Sequence, residues 1–375
     1  MLLLAGCQPA APQEVVVTEV VEVPVEVTRI VEGETVVETV VEEVEVTRVV
    51  TEEVQVEAAA ESGGTLTIGL QTEPISLDPA AGAYIAERFI LMDIFDTLVA
   101  ADQQGDLHPG LATSWEANED GTEFTLALRD DVTFQDGTPF NAEAVQAALD
   151  HVMEIEDFST AGQIMAGYAE TVVNDDDSVT VKFDTPKATF IRDLSQPWMG
   201  IPSPAALGNA DFAQKPVGSG PFMVQEWAAQ DHLTLTRNPE YSWAPEFATH
   251  DGPALLDEVI FRFLPEPATR LAALETGEAQ VIEDPPAQDA SALIGSESYN
   301  VRTFSAPGMP AHLMINTQKS PTDDLRVRQA IIYAINQDQI VQLGFNGLST
   351  AAHSVLSPTT PSYNEAAAEL YEYDP

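Results

Sequence analysis

Residues 215–241, KPVGSGPFMVQEWAAQDHLTLTRNPEY, decide how the chain is read. Gly218, Ser219 and Gly220 stand before Pro221, so a permissive backbone meets one of fixed φ. Such a stretch is a crossing point between two bodies or a tight turn into a strand. Phe222 and Val224 then alternate with Met223 and Gln225 as far as Trp227. After the polar break at Ala229, Gln230 and Asp231, Leu233 and Leu235 alternate with Thr234 and Thr236. Two period-two runs about a short polar break predict a hairpin, and Asn238-Pro239 stops its second strand.

Working outward toward the N-terminus, 65–70 reads as a strand that Glu73-Pro74 breaks. Asp78 is a turn former whose carboxylate can accept from nearby backbone N–H groups. A helix is predicted over 87–99, with Phe89, Met92, Phe95 and either Leu98 or Val99 on one side. Strands follow at 115–117 and 122–128, then a turn at 136–139. Asn141 N-caps a helix carrying Val145, Ala148, Leu149 and Val152, with His151 on its exposed flank. Strands at 170–173 and 179–183 enclose an Asp run, and 187–194 reads as a short helix. That run lacks the spaced ligands, Gly and terminal Glu of a calcium loop, so it reads as a solvated hairpin tip. Neither His108 nor His151 has metal-ligand spacing around it, and no metal site is expected.

Toward the C-terminus, 255–264 is a strand, followed by a helix from Pro267 that carries Leu271 and Leu274 and ends at Gly277. Arg270 pairs with an acidic neighbour or lies on a solvated face. Residues 301–304 and 312–315 read as strands. Asp323 or Asp324 caps a helix with Val327, Ala330, Ile331 and Ala334 on one side, where Arg326 and Arg328 are structurally paired.

Length and a 44% hydrophobic content allow a sizeable core and more than one domain. No run of roughly eighteen apolar residues occurs, so no stretch reads as a membrane-spanning helix. Acidic residues number 61 against 15 basic ones, a formal net charge of −46. That field repels nucleic acid, which is excluded as a partner. The lone cysteine excludes an intrachain disulfide framework. Its position speaks instead: Leu4-Ala5-Gly6-Cys7 matches a lipobox, with cleavage before Cys7 and lipid attachment to it. Residues 1–7 read as a lipoprotein signal truncated at its front, since the apolar stretch is short and no Lys or Arg precedes it.

Residues 8–62 are a low-complexity Val/Glu stalk without Phe, Trp, Tyr or Leu, in which VEVTRIV at 25–31 returns as VEVTRVV at 44–50. Alternation around Pro24 suits a strand, while Val36, Val37, Val40, Val41 and Val44 fit a helical stripe. A self-repelling acidic spacer and an oligomeric stalk are both compatible with this composition.

Several phrases then occur in a family's order. GGTLTIGLQTEPISLDPA, MDIFDTLVAAD with GDLHPGLATSWEANEDGTEFTLALRDDVTFQDGTPFNAEAV, VGSGPF with LTRNPEYSW, DEVIFRFLPEPATRLAALETGEAQV and HLMINTQKSPTDDLRVRQAIIYAINQDQI are these phrases. Over 63–375 the chain resembles family 5 of the extracytoplasmic solute-binding proteins of ABC importers, the oligopeptide, dipeptide and nickel binders. The resemblance implies an α/β fold of the periplasmic-binding-protein type II kind. It has two large lobes, an inserted smaller α/β lobe and an incomplete second large lobe. The first lobe is 63–95 with 217–300, the insert 96–216, and the second lobe starts at 301–375. More of that lobe is expected beyond Pro375. The positions matching the family's cleft are Ala83, Tyr84, Ile85 and Ala86 after the Leu-Asp-Pro turn, with Met309 and His312 where the second lobe opens.

No nucleophile elbow, zincin motif, P-loop or dinucleotide fingerprint appears, so no enzyme and no cofactor are expected. The resemblance implies a binding lipoprotein on the periplasmic or extracellular face, anchored to the membrane through Cys7. It would capture a peptide or similar small solute between its lobes and pass it to the permease and ATPase subunits of an importer. The competing reading is a structural or adhesive surface lipoprotein on an acidic stalk.

Overall fold

The computed structural model describes residues 13–31, 34–52, 62–82, 85–155, 159–250, 252–305, 307–360 and 363–375. They fall into two units, Met1–Ser62 and Gly63–Pro375. In the first, β1 (Gln13–Val31) and β2 (Glu34–Glu52) form an antiparallel ribbon in continuous register, from Gln13 opposite Glu52 to Val31 opposite Glu34. Of the two local states compatible with this segment, the extended one prevails. Val and Thr supply most of the ribbon, and β-branching favours the pleated backbone over the helix.

The strands of the second unit, in chain order, are β3 (Thr65–Leu70), β4 (Val99–Ala101), β5 (Leu107–Pro109), β6 (Ala112–Ala117), β7 (Glu123–Leu128), β8 (Tyr168–Asp175), β9 (Ser178–Phe183), β10 (Phe222–Ala228), β11 (His232–Arg237), β12 (Glu258–Phe263) and β13 (Val281–Ile282). One sheet has the order β10-β11-β12-β3-β13. Its first three strands are antiparallel, while β12 and β13 both run parallel to β3. A second sheet, β6-β7-β9-β8, is antiparallel throughout and lies wholly in the excursion between β3 and β10. Alternation builds it: Phe124, Leu126, Val179, Val181 and Phe183 turn inward, with Phe124 opposite Val181 and Leu126 opposite Val179. Val145, Ala148, Leu149 and Val152 of the helix Ala142–Glu154 are buried as their spacing predicts. Asn141 caps that helix by accepting from the Ala144 N–H at 2.9 Å.

The predicted hairpin is β10–β11, with a β-bulge between Val224 and Glu226. The bulge returns Trp227 to the face of Val224 and sets it opposite Leu233. Before the hairpin, the glycines have a specific task. Neither Gly218 nor Gly220 takes a left-handed φ. They let the chain pass against the end of the helix Ile85–Ile94. A Cβ on Gly218 would lie 2.1 Å from the Ile94 oxygen, and one on Gly220 2.6 Å from the Ile94 carbonyl carbon. The Gly220 N–H donates to that oxygen at 2.9 Å, which ends the helix at Ile94 and leaves Val99 free to enter β4.

Several expectations are corrected. The buried stripe of the helix Ile85–Ile94 is Glu87, Ile90, Leu91 and Ile94, while Phe89 and Met92 face solvent. Large apolar residues on both faces made the periodicity misleading; full burial of Ile90, Leu91 and Ile94 is worth about 1.5–3 kcal/mol each. Residues 301–304 and 312–315 are irregular, because no strand edge pairs with them among the described residues. Arg270 is fully buried and meets backbone carbonyls rather than a carboxylate: Leu264 at 2.6 Å, and Pro265, Glu283 and Asp284 at 2.8 Å. Arg328 likewise donates to the Thr322 and Asp323 carbonyls, whereas Arg326 does pair with Asp324, the cap of the helix Leu325–Ala334.

Gly218→Ala is expected to cost about 2–4 kcal/mol, since backbone lies on the added methyl. Gly208→Ala, where nothing lies within 4 Å and φ is negative, is expected to stay within about 0.5 kcal/mol. Urea unfolding of the two variants against the parent measures both.

Candidate functional site

The loop leaving β3 is tied down from several directions. The Glu73 carboxylate accepts from the Trp227 indole N–H at 2.8 Å and from the Gln230 N–H at 3.1 Å, so it holds the turn of the β10–β11 hairpin. Glu87 accepts from the Ile75 N–H at 3.0 Å, and the Leu77 N–H donates to the Ala213 carbonyl at 2.8 Å. Asp78 is the predicted turn former, with one oxygen accepting from the Ala80 N–H at 2.9 Å. Its other oxygen does what the sequence reading missed. It meets the His151 Nε2 at 2.9 Å, so His151 is half-buried against the loop instead of lying on an exposed flank. The carboxylate beside it raises the His151 pKa above the ordinary histidine value despite burial.

Gly82 closes this loop. A Cβ there would come within 2.8 Å of the Trp198 ring, so the chain lies flat on the indole. The crevice between Pro79, Ala80, His151 and Trp198 holds only about 10 Å³, less than one water needs to spare. It is packing that fixes the loop, not a ligand chamber. A larger hollow of about 490 Å³ is bounded by Ile294, Ser296, Tyr299 and Val301 of one stretch and opens to solvent.

A second constellation joins the excursion to the main sheet. Asp96 accepts from the Ser219 hydroxyl and the Trp243 indole N–H at 2.8 Å each, and from the Tyr241 hydroxyl at 3.2 Å. Although part of Asp96 reaches the surface, the protein around its carboxylate dominates. Desolvation pushes its pKa up against the lowering effect of these three donors and of Arg129. Burial likewise pushes the Tyr241 phenol well above its ordinary range. Gln135 completes the junction. Its side-chain nitrogen donates to the carbonyls of Ile94, Gly220 and Phe222 at 3.3, 3.1 and 2.8 Å, and its oxygen accepts from the Gly218 N–H at 3.2 Å. No local pattern around Gln135 signals this role; only the fold brings these carbonyls together.

Of the expected cleft residues, Ala83 and Tyr84 lie outside the described residues, as does Cys7. Ile85 opens the helix Ile85–Ile94, immediately after the immobilised loop. Met309 and His312 are exposed on an irregular stretch, where the His312 Nδ1 sits 2.7 Å from the Pro310 carbonyl oxygen. The two groups of expected residues are therefore described on separate segments.

This arrangement of sheets is the fold of type II periplasmic binding proteins. A solved binding protein, AgaA from A. tumefacien R10 in complex with agropinic acid, has a TM-score of 0.70 at 28% identity, covering 83% of this chain and 62% of that one. DppA from Helicobacter pylori in complex with the peptide STSA has a TM-score of 0.71 at 26% identity, covering 84% and 64%. The model of the bacterial extracellular solute-binding proteins, family 5 middle, matches residues 106–375. The chain belongs to family 5 of the bacterial extracellular solute-binding proteins. The glutathione-binding protein GsiB of Escherichia coli (strain K12) is 30% identical over 306 residues, 80% of this chain and 57% of that protein. The chain thus spans little more than half the length of this relative.

Removing the Asp78 partner by His151→Asn is expected to cost about 1–3 kcal/mol at acid pH. A raised folded pKa gives stabilisation that is complete below about 6.5, the unfolded value, and is lost as pH rises through the folded one. Denaturant unfolding from about pH 5.5 to 9 should show the gap between parent and variant narrowing as the pH rises.

Proposed function

We propose that this chain is the substrate-binding component of an ABC importer, taking up a peptide or a similarly sized small solute and handing it to a membrane permease. The observation that carries the reading is membership of family 5 over most of the chain. The relatives named above bind glutathione, a peptide or agropinic acid, ligands of one size class. Capture between lobes buries such a ligand, and an extended peptide can be held through its main chain as an added strand. The segment of 63–95 with 217–300 acts as one lobe with 96–216 inserted, and 301–375 begins the other. Ala83, Tyr84 and Ile85 line the cleft on the first side, with Met309 and His312 on the second. The 73–82 loop supports this assignment, because a tethered loop presents the next residues without an ordering cost on binding. The protein works by binding rather than by catalysis, on the outer face of the membrane, anchored by lipid on Cys7.

Native mass spectrometry of the full-length protein with glutathione and short peptides should give saturable one-to-one binding. Tyr84→Ala should weaken the tightest ligand by about tenfold with unfolding unchanged; an unaltered affinity by calorimetry removes Tyr84 from the cleft. In the natural precursor, Cys7→Ala should move the protein from the membrane to the soluble fraction. Persistence in the membrane fraction would end the lipobox assignment.

A further inference from the structure

Asp93 is a carboxyl group that the fold supplies with no donor. It lies in the last turn of the helix Ile85–Ile94, one residue before the carbonyl on which Gly220 and Gln135 converge. Among the described residues its side chain makes no hydrogen bond and no ion pair. The acids around it differ. Glu87 accepts from the Ile75 N–H, Asp78 from the Ala80 N–H while meeting His151, and Asp96 from Ser219, Tyr241 and Trp243. Protein nevertheless surrounds the Asp93 carboxyl, and burial pushes its pKa up to about 7 with no charge or donor acting against it. Its oxygens still meet solvent. Every buried side-chain oxygen among the described residues has a partner, so oxygens without one are not buried. Asp93 thus sits low in the surface but within reach of water.

The surroundings gather acceptors. A helix ends in partial negative charge, which opposes a carboxylate in its last turn. The carbonyls of Met92 and Asp93 in that turn also receive no donor among the described residues. Two segments packed on the helix, Pro197–Met199 and Gly218–Gly220, carry no titratable side chain. The third, β10, carries only Glu226, which is exposed and faces His232. Arg88 is exposed about 140° around the helix from Asp93. A carboxylate whose ionisation is disfavoured, with nothing in the chain to offset the cost, marks a functional position.

Beside this acceptor cluster the surface is apolar. Phe89 stands one turn before Asp93 and about 40° around the axis, and Met92 lies on the other flank of Phe89. Both are exposed. A metal ion would need further ligating side chains, and no group of three His, Cys, Asp or Glu stands together among the described residues. A primary ammonium suits the place better. It brings three donors to the carboxylate and the two carbonyls, its carbon chain can lie on Phe89 and Met92, and the ring attracts a cation held beside it.

We propose that Asp93, with Phe89 and Met92, forms a binding site for a solute that carries a primary ammonium beside an apolar group. The site lies about 12 Å along the helix from Ile85, so it stands or falls independently of solute capture at the proposed cleft positions. The test is calorimetric titration of the full chain with 2-phenylethylamine, using 2-phenylethanol as its uncharged counterpart. At pH 8 the amine should bind the parent at millimolar concentration or below, and Asp93→Asn and the alcohol should each bind at least about tenfold more weakly. At pH 6 only about a tenth of the Asp93 side chains are ionised, so the parent should bind the amine about tenfold more weakly than at pH 8. Asn resembles the protonated side chain, so Asp93→Asn should unfold in urea at pH 8 no earlier than the parent, which separates lost binding from lost folding. No binding of the amine by the parent would overturn the proposal. So would equal affinity in Asp93→Asn, equal affinity for the alcohol, or an affinity indifferent to pH.

Discussion

The carbonyl oxygen of Ile94 is the point on which the larger unit turns. It ends a helix, so the helix itself supplies no donor, and two donors from distant segments reach it: the Gly220 N–H at 2.9 Å and the Gln135 side chain at 3.3 Å. Only a backbone without side chains can come that near, which is why two glycines flank Ser219. Ser219 in turn reaches Asp96, and Asp96 gathers Tyr241 and Trp243 from beyond the hairpin. A single close approach thus fixes the helix end, the entry to β10 and the joint between the excursion and the main sheet. Among the described residues every buried side-chain nitrogen and oxygen has a partner, so this polar joint carries no uncompensated desolvation.

What was legible in the sequence was whatever local chemistry decides. Asn141 announced itself as a cap, and Asp324 as one of two candidates with Asp323, because an N-cap bonds two or three residues ahead. The stripe of Val145, Ala148, Leu149 and Val152 was legible because the opposite face of that helix is polar. Phe89 and Met92 misled for the converse reason. Gln135 and the partners of Arg270 were invisible, since each meets carbonyls that only tertiary structure assembles. His151 belongs with them: its partner Asp78 is 73 residues away. The expected cleft residues rested on family resemblance rather than on pattern; in the 73–82 loop the turn role of Asp78 was legible, while the ties made by Glu73 and Glu87 emerged only from the fold.

Arg270, the one fully buried arginine among the described residues, bonds carbonyls in a chain with 61 acidic residues, while the half-buried Arg129, Arg237 and Arg262 pair with carboxylates. Abundant carboxylates do not become partners by abundance. Arg270 donates to four acceptors, the carbonyls of Leu264 and Pro265 after β12 and of Glu283 and Asp284 after β13. A carboxylate in the same place would itself have to be desolvated. Among the described residues, the acidic side chains other than Asp78 and Glu87 reach the surface, where their mutual repulsion is screened by salt.

The path of the chain has a temporal side. Thr65 in β3 finds its neighbour Glu258 in β12 193 residues later, and every rung of that parallel pairing has the same long separation. The excursion, by contrast, pairs β6 with β7 and β8 with β9 across short turns. Closing the span of 193 residues between β3 and β12 costs more entropy than closing the short turns of the excursion, so the antiparallel sheet can form while β3 still waits for its partner. The order of birth is therefore the reverse of the order of sequence: the inserted body matures first, and the strand that opens the unit is among the last to be enclosed.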